Sequence, residues 1–309
     1  MPLFTKQKTK LHLEVTNSDQ ATAHGGQVLV DALCRRAGLW QRIHDEPSLE
    51  VRKRTGAGFS PVAVVAQLLF AFTSGGASLA DAERMGKDRV LLNLLGLPKG
   101  ADQSTLGEWL RAQTPESVRV LHRINADFVD WSSQQAKPAR WLHAGQVELF
   151  FDDTELEVEG HKFEGARINY DGNRALSWQT LWLGPWMLDG ILDGASDVSQ
   201  HLGVLLDEHQ HRWQDRPNYF YADSGSSAGK FLNRRSVFDV SQACPSILLR
   251  ENDTHQAHFR QFRQDFHGKA GSFIPLHHMG SDFAIGKLAY CLTQMVLFVG
   301  KGEIHGNLA

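Results

Sequence analysis

Apolar positions along this chain change period once. From about Val28 to Leu110 they recur at helical spacing, with Val28, Leu29, Ala32, Leu33 and Leu39 forming the first such set. Pro61 suits the first turn of a helix running to Phe72, and Ser78-Leu79-Ala80-Asp81 opens another. Pro98-Lys99-Gly100 reads as a turn, after which Ser104 to Leu110 resumes as a helix with a hydroxyl residue near its start. A longer helix carries Val118, Leu121, Ile124, Phe128 and Trp131 and leads into the polar stretch Ser132 to Arg140. That stretch divides a helical region, 1–135, from a second region, 141–309.

Beyond Trp141 the apolar residues gather into short runs. Val147 to Phe151 reads as a buried strand, Leu156, Val158 and Gly160 as a second returning after a tight turn, and Trp178 to Leu183 as a third ending at Gly184-Pro185. Val198 to Trp213 reads as a helix with Leu202, Leu205 and Leu206 inward, and Tyr219 to Ala222 as another strand. Strands, helix and strand predict a mixed α/β layer behind a helical N-terminal domain.

Two of these runs end in acid. Leu149-Phe150-Phe151 is followed by Asp152-Asp153-Thr154, and Tyr219-Phe220-Tyr221-Ala222 by Asp223-Ser224-Gly225. A carboxylate beside a core is costly unless a cation or donors satisfy it. If the two strands are parallel neighbours, Asp152 and Asp223 project from one sheet edge, where open α/β folds place their sites. A divalent cation between them relieves the repulsion, and magnesium suits oxygen ligands of this kind.

Composition adds few constraints. No apolar run reaches the roughly 20 residues of a membrane helix, since Pro61 to Phe72 stops at Thr73-Ser74-Gly75-Gly76. Met1 to Lys10 is basic but lacks the apolar segment of a signal peptide, so a cytoplasmic location is expected. Cys34, Cys244 and Cys291 form no CxxC pair and read as buried thiols. A net charge of −3 neither demands nor excludes a nucleic-acid partner, so local clusters decide. Arg52-Lys53-Arg54, beside Thr55-Gly56-Ala57-Gly58, is the candidate contact for phosphates.

The segments FFDDTELEVEGHKFEGARINYDG, LSWQTLWLGPWMLDGILDGASDVSQ and YFYADSGSSAGKF together resemble the core of the group 1 DDE transposases of bacterial insertion sequences. In that family a strand ends in an acid-x-Thr unit, a Gly-His-Gln-Glu-Gly-like stretch follows, and a later strand ends in Ala-Asp-Ser-Gly-Phe. Upstream, SPVAVVAQLLFAFTSGGASLADAERMGKDRVLLNLLG and DQSTLGEWL resemble its helical N-terminal region; downstream, HMGSDFAIGKLAYCLTQMV resembles its closing helix.

The resemblance implies an RNase H-like catalytic domain with Asp152 as first acid and Asp223 as second. It further implies Mg2+ or Mn2+ as cofactor and hydrolysis or transesterification of phosphodiesters. Terminal inverted repeats and target DNA are the expected double-stranded partners, and joining two ends favours a homo-oligomer on DNA. The chain departs from the family in three ways. It is shorter before the closing helix, and Gln256 stands where the third acid is expected, with Glu251 and Asp253 the nearby alternatives. Ser226 and Cys291 replace the usual Phe and Asn. A neutral amide binds magnesium poorly. The competing expectation is therefore a defective derivative that binds element ends through its helical half without cutting.

Other chemistries fit less well. Phe150 occupies the nucleophile position of an Asp-x-Asp-x-Thr phosphatase, and GSSAGKF is one residue short of a P-loop, with Phe231 where a hydroxyl is needed. His209 and His211, spaced as H-x-H on a helix, do not share a face, so they make no zinc site together.

Overall fold

A computed structural model describes residues 21–54, 57–136, 142–143, 146–158, 163–169, 171–194, 198–212 and 218–222. Among the described residues seven α-helices precede the sheet: α1 Gln27–Arg36, α2 Leu39–His44, α3 Pro61–Thr73, α4 Leu79–Met85, α5 Arg89–Leu95, α6 Gln103–Arg111 and α7 Pro115–Gln135. Their starts follow local chemistry. Ser60 caps α3 by accepting the Ala63 N–H, with Pro61 at the first position, and Ser78 caps α4 in the same way through Asp81. Helix α6 begins one residue before the expected Ser104, because the Asp102 carboxylate takes the Thr105 N–H. Thr114 and Ser117 form a reciprocal capping box at the head of α7.

Helix α3 is apolar nearly all round and lies at the centre of this layer. Its one large polar residue, Gln67, is fully satisfied: the amide nitrogen donates to Ala82 O and Ala101 O at 2.8 Å, and Oε1 accepts the Ala101 N–H. Cys34 is buried, and burial pushes its thiol well above the usual value. Cys244 and Cys291 lie outside the described residues.

Among the described residues the sheet comprises β1 Leu142–His143, β2 Gln146–Glu157, β3 Arg167–Ile168, β4 Arg174–Leu183, β5 Trp186–Asp193 and β6 Asn218–Ala222, with α8 Val198–His209 between β5 and β6. Strand β2 pairs antiparallel with β4 from Leu149↔Leu183 to Glu157↔Ala175, and β5 pairs antiparallel with β4 on its far side. Strand β6 lies parallel to β2, in register from Val147↔Asn218 to Phe151↔Ala222. This is a mixed α/β arrangement with a largely antiparallel sheet.

Three expectations need correction. Strand β2 does not end at Phe151 but runs to Glu157, so Leu156 belongs to the same strand and no second strand returns at Val158. Gly184-Pro185 closes a hairpin rather than the sheet, Gly184 taking a left-handed φ of 54° so that β5 turns back on β4. His211 falls in a 3-10 turn at Gln210–Arg212 after α8 ends.

Residues of both regions share one apolar core, which runs from Val30 and Leu69 through Ile124 and Phe128 to Leu149, Trp182 and Leu205. Helix α7 joins the layers. Asn125, wholly buried, donates to Met187 O and Leu188 O of β5 at 2.9 and 3.0 Å. Among the described residues no helix is long and apolar enough to cross a membrane.

Candidate functional site

Strand alternation separates the two adjacent acids of β2. Asp152 shares its face with Thr154, whose hydroxyl donates to Asp152 Oδ2 at 3.2 Å. The Asp152 carbonyl accepts the Thr180 hydroxyl of β4 at 3.3 Å, and Trp182 Nε1 in turn donates to Thr180 Oγ1 at 2.9 Å. Asp153 turns the other way and accepts the Ser177 hydroxyl at 2.5 Å. Asp152 therefore stands inside a long strand, partly exposed, between two threonines.

Asp152 and Asp223 are the residues that follow the last register pair, Phe151↔Ala222, in their respective chains. The parallel neighbours that the sequence pattern asked for are present. Asp223 itself lies outside the described residues, as do Glu251, Asp253 and Gln256.

A second charged group was not anticipated. Asp189 of β5, 4% exposed, receives His122 Nδ1 of α7 at 2.6 Å on one oxygen and His209 Nε2 of α8 at 2.7 Å on the other. The Gly190 N–H adds a third contact at 2.7 Å. Arg212 Nε donates to His209 Nδ1 at 3.2 Å, and its guanidinium pairs with Asp130 of α7. Burial pushes the Arg212 guanidinium below its usual value, opposed by the charge of Asp127.

Asp189, Glu208 and His209 place one ligand atom each within 4.8 Å of one another, so this largely buried group could hold a metal ion. An imidazole among the donors favours a borderline transition metal over magnesium. An ion on His209 Nε2 would move the ring proton to Nδ1, where Arg212 already donates, so the existing hydrogen bonds compete with it. The sequence signals for this group were the acid inside the apolar run Met187-Leu188-Asp189-Gly190-Ile191 and His209 itself.

The basic triplet is only partly available. Arg52 donates from Nε to Glu50 Oε1 at 2.8 Å and from Nη2 to Glu50 Oε2 at 2.5 Å, a fork that holds the Glu50 carboxyl below its usual range. Lys53 and Arg54 are exposed and make no ion pair with a described residue. Comparison of the chain with family models, with curated proteins and with solved structures finds no match.

Proposed function

We propose that the chain is a metal-dependent DNA transposase of the DDE kind, acting on phosphodiester bonds at the ends of an insertion sequence. One observation carries this reading: β2 and β6 are parallel neighbours whose register leads directly to Asp152 and Asp223. The wider strand order supports it. A β2–β4–β5 antiparallel meander, a crossover through α8 and a fourth strand parallel to β2 is the arrangement an RNase H-like core requires.

Asp152 fits a hard cation, since it offers carboxylate oxygens at a partly exposed position of β2, with the Thr154 hydroxyl holding one of them. Asp152 and Asp223 would hold the ion, with Glu251 the candidate third acid. Bound there, divalent cations supply activation of water or a 3′-hydroxyl and stabilisation of the leaving oxygen. The chain's own contribution is to fix the carboxylate. Thr154 orients Asp152, while Thr180, itself held by Trp182, anchors the Asp152 carbonyl.

Double-stranded DNA is the partner in this reading, and the joining of two ends favours an oligomer. Gln256 at the expected third-acid position favours a second reading, an end-binding derivative that does not cut.

The deciding assay uses labelled duplexes carrying the terminal repeats that flank the gene, with Mg2+ or Mn2+, for the wild type, Asp152→Asn and Asp223→Asn. Metal-dependent nicking that both variants lose is the expected result. Nicking that survives in the variants overturns the assignment. Binding without nicking moves the conclusion to the second reading, where Gln256→Glu is the variant in which to seek a gain of cleavage.

A further inference from the structure

A line of hydrogen bonds leaves Asp153 and crosses the sheet to α8. Ser177 Oγ lies 2.5 Å from Asp153 Oδ1, and Gln179 Nε2 lies 3.1 Å from Ser177 Oγ. His201 Nδ1 of α8 lies 3.2 Å from Gln179 Oε1, while its Nε2 lies 3.2 Å from Asp193 Oδ2 at the end of β5. The interior members are dry: Gln179 is 0% and Ser177 6% exposed.

Proton counting gives this line a direction. An ionised Asp153 only accepts, and a serine hydroxyl has one proton to give. Ser177 therefore donates to Asp153 and must accept from Gln179. That turns the Gln179 amide nitrogen toward Ser177 and its Oε1 toward His201, so His201 Nδ1 donates; with Nε2 set against the Asp193 carboxylate, which also only accepts, the line is complete with a proton on both ring nitrogens. With the amide reversed, Ser177 would face two acceptors with a single proton, and His201 Nδ1 would have to accept. The orientation of a buried amide on β4 thus depends on one ring nitrogen of α8.

We infer that His201 is a positioning residue for the acidic segment of β2. Through Gln179 and Ser177 it fixes a donor on Asp153, which ties β2 to β4 at the residue following Asp152. Asp193, its side chain 39% exposed, sets the ring from its far side. The inference rests on the proposed role of Asp152 as a cation ligand, and it concerns how that ligand is held.

The test compares the full chain with Asp152→Asn, His201→Ala, His201→Asn and His201→Gln. Mn2+ binding is read by electron paramagnetic resonance, and solvent exchange of the Gln179 side-chain amide by 15N NMR. Loss of one donor in such a line corresponds to about threefold to tenfold in an equilibrium. His201→Ala is expected to weaken Mn2+ by about threefold and to speed Gln179 exchange by about tenfold.

Asparagine places an amide nitrogen near the position of Nδ1, whereas glutamine places it nearer Nε2. His201→Asn should therefore recover most of both losses and His201→Gln should not, a difference that packing alone does not produce. Should His201→Ala fail to fold, the Asn and Gln pair still decides. Mn2+ affinity unchanged in every His201 variant but lowered in Asp152→Asn overturns the coupling. Affinity unchanged in Asp152→Asn overturns the reading of Asp152 instead. The line is then judged on Gln179 alone, and unaltered exchange in His201→Ala overturns it.

Discussion

His122 and Asp189 meet at 2.6 Å across the junction between the helical layer and the sheet, 67 residues apart in sequence. With His209 on its other oxygen, Asp189 is the point where α7, β5 and α8 share one charge. Removing a single partner from such a buried set is expensive, because the remaining donors lose their acceptor in a dry site. Asp189→Ala is expected to cost about 3 kcal/mol in urea unfolding. Asp189→Asn should cost less, about 1–2 kcal/mol, since the amide keeps the side chain's shape and one acceptor oxygen in the buried site. Equal losses for the two variants would show that the charge, not the donor pattern, matters at this junction.

Two glycines make a contact that no other residue allows. A Cβ built on Gly100 would meet Gly86 Cα at 2.3 Å and its carbonyl at 2.4 Å, all backbone atoms with nowhere to move. The same approach brings the Ala101 backbone onto Gln67. Gly100→Ala must then separate α4 from the loop before α6 and break the Gln67 bonds. A loss of about 3 kcal/mol is expected, seen as a drop in urea midpoint at unchanged m-value. Gly96→Ala makes a useful contrast, since its Cβ meets nothing and only its φ of 70° opposes the change. It should cost about 1 kcal/mol.

Acid should loosen the helical layer first. The Thr105 N–H and hydroxyl hold the Asp102 carboxyl below its usual range, and the Ser78 hydroxyl, with the Ala77 N–H, does the same for Asp81. A carboxyl whose folded value lies below its unfolded one contributes stability above the unfolded value, near pH 4, and loses it as pH falls through the folded value. Far-UV circular dichroism should therefore report a melting temperature that falls as pH drops below about 4. Asp102→Asn keeps a capping oxygen but cannot titrate, so it should flatten that fall at little cost at pH 7. A fall as steep as the wild type's would remove Asp102 from the cause.

Local rules were legible where a residue's partners lie nearby. Proline at the start of α3, Ser78 as a cap and the apolar runs of β4 and β6 all follow from neighbours in sequence. The full length of β2 was hidden because Asp152, Asp153, Glu155 and Glu157 look like the end of a strand. Their charge is met by Thr154, Ser177, Asn169 and Asn173, of which only Thr154 is adjacent enough to suggest it. Strand β5 was missed because Gly-Pro reads as a terminator, and only pairing with β4 turns it into a hairpin. Asp189 was legible as an oddity in an apolar run, but its two histidines come from helices on either side of it in sequence. Parallel pairing of β2 with β6, conditional on sequence, is the topological fact on which the candidate site now stands.

The pairing of Arg52 with Glu50 divides the basic triplet into unequal parts. A guanidinium already forked onto a carboxylate brings a nearby negative charge to any phosphate, and its release on DNA would first break that pair. Lys53 and Arg54 carry no such handicap. If this loop contacts duplex DNA, replacing Lys53 and Arg54 together by alanine should reduce the slope of log K against log salt by about 2, and replacing Arg52 alone by less than about 1. Glu50→Gln gives the complementary test. It frees Arg52, so it should tighten binding at low salt and steepen the slope. Fluorescence anisotropy over a salt series measures all three, and slopes unchanged throughout would place the DNA contact elsewhere on the helical layer.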